Sequence, residues 1–230
     1  MKKRFTYIVA ELVRHMPFSI FGVTAAIVLM GLLTFLVRIV QAESLLPAAS
    51  EDLFHIFHPV HLLFSAIATT AMFYKHDNRN IFKAVVIGFL GSVSICGLSD
   101  IIIPFVGGVF LGTHMHFHVC IIEEPGLVYP FVALGIMAGL FVTKTFEKST
   151  EFSHSVHVFL SSVASLLYLI AFGLGDWMHA ISGVFLVTVF AVMFPCCFSD
   201  IVFPLCCTHR YCQHEHDDTA DQRADSSHTR

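Results

Sequence analysis

Charge is scarce in this chain. Asp, Glu, Lys and Arg make up 13% of its 230 residues, where a soluble domain carries about 25%. That shortage excludes an ordinary water-soluble globule. What fills the space is apolar: 56% of residues are hydrophobic, 24 are Phe, and the mean hydropathy is +0.75. Several apolar runs exceed the ~18 residues that suggest a bilayer span. Other absences narrow the function. There is no phosphate-binding glycine loop, no HExxH and no GxSxG, so ATP bound on this chain is not expected to drive its work. Seven Cys, most of them in apolar segments or near the C-terminus, make no disulfide framework. Nothing in the pattern points to nucleic acid.

Hydropathy predicts an all-α polytopic membrane protein with six transmembrane helices, near 18–41, 54–74, 82–112, 127–144, 155–174 and 178–206. The basic residues orient it. Lys2, Lys3, Arg4 and Arg14 precede the first span, Lys75, Arg79 and Lys83 follow the second, and Lys144 and Lys148 follow the fourth. Arg210, Arg223 and Arg230 follow the last, whereas 42–53, 113–126 and 175–177 hold no Lys or Arg. Arg38, near the end of the first span, can snorkel to its surface. Basic connections on one side put both termini in the cytosol, at the plasma (inner) membrane. "VQAES" at 40–44 resembles a signal-peptide cleavage site, but the apolar stretch before it is too long, which favours an uncleaved span.

The chain repeats itself. "PFSIFGVTA" at 17–25 recurs as "PFVALGIMA" at 130–138, and "HPVHLLFSAIA" at 58–68 as "HSVHVFLSSVA" at 154–164. "CGLSDIIIPF" at 96–105 recurs as "CCFSDIVFPL" at 196–205. Each copy holds an odd number of spans, so the second enters the bilayer from the opposite side. The expectation is two inverted three-helix repeats, the third helix of each broken at Ser-Asp/Pro, as in secondary transporters. The organisation expected is an interfacial amphipathic helix over 1–16 and a first repeat over 17–112. An outer His-rich segment at 113–126, a second repeat over 127–207 and a polar, disordered tail over 208–230 complete it. "GIMAG" at 135–139 reads as helix packing.

Acid and imidazole inside such spans are costly and therefore informative. His58 and His61, spaced i, i+3, share a helix face that Ser65 extends and His55 precedes. By depth they meet Asp100 in the outer half of the membrane. Their mates His154, His157 and Asp200 meet in the inner half, with Ser161 one turn on. Imidazoles plus carboxylate suit a divalent ion such as Zn, Fe or Mn. Cys96, Cys196 and Cys197 are accessory ligands that favour softer metals, and Ser65, Ser99, Ser161 and Ser199 are hydroxyl candidates. Ser99 and Asp100 also read as plain helix caps. His114, His116 and His118 form an outer metal-gathering trio near Glu123 and Glu124. Cys212, His209, His214 and His216 form a tail cluster beside Cys206 and Cys207, two candidates for palmitoylation.

The reading that follows is a gradient-driven transporter of a divalent transition metal, with the lipid bilayer as its medium and protons as coupling ion. A homo-oligomer is compatible with it. Two alternatives stand beside it. One is an intramembrane metal-dependent hydrolase, and the other a b-haem electron carrier with paired His as axial ligands.

Overall fold

A computed structural model describes residues 2–76, 80–142 and 150–197, with the backbone alone at 2–12, 14–15, 18, 75–76, 150–155 and 197. Among the described residues every regular element is helical. They are α1 (Lys2–Ile39), α2 (Leu46–His76), α3 (Ile81–Leu90), α4 (Ile103–Phe110), α5 (Cys120–Glu123), α6 (Pro125–Val142), α7 (Thr150–Ala171) and α8 (Ile181–Cys197). Two single π-helical stretches, Gly91–Ile95 and Leu98–Ile102, join α3 to α4, and 3₁₀ turns at Glu43–Leu45 and Trp177–Ala180 precede α2 and α8.

Local chemistry sets these boundaries. Asn80 caps α3, its side chain accepting from the Lys83 N–H at 3.0 Å. α1 ends where Gln41 takes a positive φ of 55°, and the Ala42 N–H donates back to the Val37 carbonyl at 3.0 Å. α1 itself passes from Lys2 through Pro17 to Ile39 without interruption, where a separate interfacial helix over 1–16 was expected. The connection expected at 42–53 is mostly helix, because α2 begins at Leu46.

Among the described residues, five stretches are long and apolar enough to cross a membrane: Ser19–Ile39, Glu43–Tyr74, Ile81–Phe110, Pro125–Val142 and Trp177–Cys196. The fifth expected span, 155–174, corresponds to Val156–Ala171, apolar but shorter. Its surroundings explain the difference. Leu166, Leu167, Tyr168, Leu169 and Ile170 are consecutive and all buried, so α7 is enclosed on every side by protein. α1, α2 and α8 pack around it. Large apolar side chains such as Phe21, Phe82, Phe110 and Phe141 point outward, while His58, His61, His157, Asp100 and several Ser and Thr are buried. That inside-out polarity belongs to an integral membrane protein.

The third span is not broken at Ser99–Asp100, which corrects the expectation. Pro104 lacks an N–H, and its ring crowds the carbonyl of residue 100. The chain absorbs this by widening into the π turn Leu98–Ile102, after which α4 resumes with Pro104 in its first turn. π turns of this kind gather at functional sites. The corresponding Ser199–Asp200 lies outside the described residues.

Small residues let the helices close. Gly135 lies against the Leu63 carbonyl and Ala66 of α2, and Gly139 against the Ile67 carbonyl and Thr70. The "GIMAG" spacing therefore does pack helices. Gly22 of α1 approaches Val158 and Phe159 of α7 in the same way. A methyl at Gly135 would meet backbone, which cannot rotate away. Gly135→Ala should destabilise the protein by about 1–3 kcal/mol, read as a lowered thermal midpoint in detergent. Gly31→Ala, whose added methyl meets nothing within 4 Å, should not.

Candidate metal centre

α2 is 31 residues long and carries His61 at its midpoint, with His58 one turn before and Ser65 one turn after. All three are fully buried. The π turn delivers Asp100, α7 delivers His157 and Ser161, and α8 delivers Cys196; none is more than 1% exposed.

Asp100 is the hub. Its Oδ2 lies 2.8 Å from His58 Nδ1 and 2.6 Å from His61 Nδ1. Its Oδ1 accepts from the Ser99 hydroxyl at 2.7 Å and the Ser161 hydroxyl at 2.9 Å. A carboxylate only accepts, so both imidazoles donate from Nδ1. That fixes their tautomers and leaves Nε2 with a free lone pair on each ring. His58 Nε2 is buried with no hydrogen-bond partner. His61 Nε2 faces Cys196 Sγ at 3.9 Å. The His157 ring meets the His61 ring with centroids 4.5 Å apart.

Two overlapping groups can hold a metal ion. His61, His157 and Cys196 offer ligand atoms within 4.8 Å of one another, and so do His58, His61 and Asp100. Only His61 belongs to both. Because Asp100 is already engaged by four donors, the first group is the one whose atoms are freer to act as ligands. With a metal there, Asp100 would be the carboxylate behind the histidine, which orients the ring and raises its basicity. Serine and thiol pairs flank the centre: the Cys96 thiol donates to Ser65 Oγ at 3.0 Å and the Cys196 thiol to Ser161 Oγ at 3.3 Å. Ser165, which the motif reading passed over, donates to the Ser99 carbonyl at 3.1 Å and pins the π turn to α7. Its signal was the serine run beginning at Ser161, with Ser165 one turn on.

His58, His61, Asp100 and His157 are thus brought together, with Ser65, Ser99, Ser161, Cys96 and Cys196 around them. The expectation of two groups at opposite depths is corrected on this point. His157 and Ser161 reach the same centre as Asp100, because α7 is buried beside α2. The His154 and Cys197 side chains, Ser199, Asp200 and the tail residues Cys212, His209, His214 and His216 lie outside the described residues.

The outer trio does not gather either. Met115 packs onto Gly108 and Gly173, which turns its neighbours His114 and His116 outward to solvent exposure. His118 turns in. Its Nε2 lies 3.1 Å from His55 Nε2, and its Nδ1 lies 2.9 Å from Glu123 Oε2. The Val119 N–H donates to Glu123 Oε1 at 2.9 Å; that bond, then His118, holds the Glu123 carboxyl below its usual range. Cys120 is buried beside this pair, and burial, then Glu124 and Glu123, push its thiol up to about 12. His55, His118 and Cys120 also have ligand atoms within 4.8 Å of one another.

No protein-family model matches the chain, and no curated protein or solved structure matches it. Function has to be argued from the site.

Proposed function

We propose that the chain is a gradient-driven transporter of a zinc-class divalent metal ion, with one central site shared between two inverted repeats. The observation that carries this is the meeting of repeat-related residues in a single buried centre. His61 and its repeat mate His157 touch ring to ring. Cys96 bonds Ser65, and the mates Cys196 and Ser161 bond in the same way. Packing repeats too: Gly22 lies on Phe159, and its mate Gly135 lies on Leu63, the mate of Phe159. First helix of one copy against second helix of the other, twice over, is what a pseudo-two-fold axis in the membrane plane requires. Transporters built this way bind substrate near the midplane at the repeat interface, and His61 is at the midpoint of α2.

The donor set argues the metal class. Two imidazoles and a thiol favour zinc over manganese, which prefers carboxylate and water. Binding needs neutral imidazole and deprotonated thiol, so loading releases protons. A proton gradient can therefore drive transport, with the termini on the cytosolic side and the 113–126 connection outside.

One observation favours a hydrolase as a second reading. Three protein ligands leave a fourth position for water, and the Ser161 hydroxyl stands beside Cys196. The b-haem reading loses ground, since rings in contact leave no room for a porphyrin between His61 and His157.

Zinc flux into proteoliposomes under an imposed pH gradient tests the proposal. The wild-type chain should move zinc, and either His61→Ala or His157→Ala should stop it. Wild-type flux in the double variant would overturn the reading.

A further inference from the structure

We propose that His55, His118 and Cys120 form a second metal site, with the same two-imidazole, one-thiol donor set as the central one. It lies at the end of the bundle where residues 113–119 fold in. The geometry argues it first. Two nitrogens each ~2.0–2.1 Å from a tetrahedral ion stand roughly 3.3 Å apart. His55 Nε2 and His118 Nε2 share a hydrogen bond at 3.1 Å, close to that spacing, and an ion would take the place of the shared proton. The His118 Nδ1–H is committed to the Glu123 carboxylate at 2.9 Å, so its Nε2 carries the lone pair. Glu123 is itself fixed by the Val119 N–H on its other oxygen. A carboxylate behind a histidine is the usual outer support of a metal ligand, and it recurs here as it does at Asp100.

The backbone holds the site in place. The His116 N–H donates to the Phe172 carbonyl at 2.6 Å and the His118 N–H to Tyr168 Oη at 3.1 Å. The segment is thereby tied to the helix that supplies His157. His118 also stacks on Phe172, with centroids 4.8 Å apart.

Position gives the site its role, and that role rests on the transport reading. His55, His58 and His61 step along α2 three residues apart, about 4.5 Å of rise per step. Phe54 lies between the two sites, stacked on His58 at 5.1 Å and edge-on to His118 at 6.3 Å. An ion held at His55 and His118 is one aromatic side chain away from His58, whose Nε2 is buried without a hydrogen-bond partner. The second site is where metal waits before Phe54 admits it.

Cobalt(II) titration of the full-length protein in nanodiscs tests this, reading bound equivalents and thiolate-to-cobalt charge-transfer absorption. Cys120→Ser should lose one equivalent and part of that absorption. Cys196→Ser should lose a different equivalent, and the double variant should lose both. If Cys120→Ser does not fold, His55→Gln, at a partly exposed position, should still lose the same equivalent. Wild-type stoichiometry in both Cys120→Ser and His55→Gln would overturn the second site. Failure of the central site would show instead as an unchanged Cys196→Ser, with the Cys120→Ser loss intact.

Discussion

Asp100→Ala should cost the protein both stability and metal. The carboxylate accepts from His58 and His61 on one oxygen and from Ser99 and Ser161 on the other. Ser99 has a second acceptor in the Cys96 carbonyl at 3.1 Å. The imidazoles are shown with no such substitute at Nδ1. Each buried N–H left without an acceptor costs about 1–3 kcal/mol, so thermal unfolding in detergent should show a marked drop. Affinity should fall by at least the roughly 10–100-fold that losing a carboxylate behind a histidine causes, because His61 loses the partner that turns its Nε2 toward the metal. Asp100→Asn should separate the two effects. The amide keeps one accepting oxygen, so most of the stability returns. It cannot accept from both pairs at once, so zinc titration should still show weakened binding.

Loss of Cys196 should change the choice of metal as well as the affinity. Its thiol is the one soft donor among His61, His157 and Cys196. Cys196→Ser keeps the size and the contact with Ser161, but offers a hydroxyl in place of a thiolate. Zinc affinity should fall by more than the roughly 10–100-fold that outer partners cost, and manganese affinity should change little. His61→Ala should be worse for every metal, since His61 belongs to both candidate groups and also donates to Asp100. Competition titrations of zinc against manganese on the two variants check both statements. Equal losses for zinc and manganese in Cys196→Ser would mean that the thiol is not a ligand.

Much of this centre was legible because intramembrane polarity is rare and the repeat doubles it. His58 and His61 stood out by i, i+3 spacing, and Asp100 by lying in an apolar run. The repeats named His157, Ser161 and Cys196 as partners of the same kind. Depth was not legible. Counting residues from each span's edge set the two groups in opposite halves, because it treats every span as an independent crossing of full length. The apolar part of α7, Val156–Ala171, is shorter than the other spans and enclosed, so His157 arrives beside His61 instead of a layer away. The effect of Pro104 is not legible for a related reason. Proline predicts disruption of the helix, but widening to a π turn serves as well where neighbouring helices satisfy the freed groups. That widening is also what carries Asp100 among the four donors. The end cluster was hidden by register. "HMHFH" reads as three histidines on one face only if the segment stays extended, and Met115 settling onto Gly108 and Gly173 directs His114 and His116 away from His118. Cys120, two residues on, carried no motif of its own.

The most direct measurement is a zinc-edge anomalous difference map of the protein crystallised with zinc. The account predicts a peak about 2.0–2.3 Å from His61 Nε2, a His157 ring nitrogen and Cys196 Sγ, with Asp100 still hydrogen-bonded to Nδ1 of His58 and His61. Helices ordered as described around these side chains, at saturating zinc and with no peak among them, would contradict it.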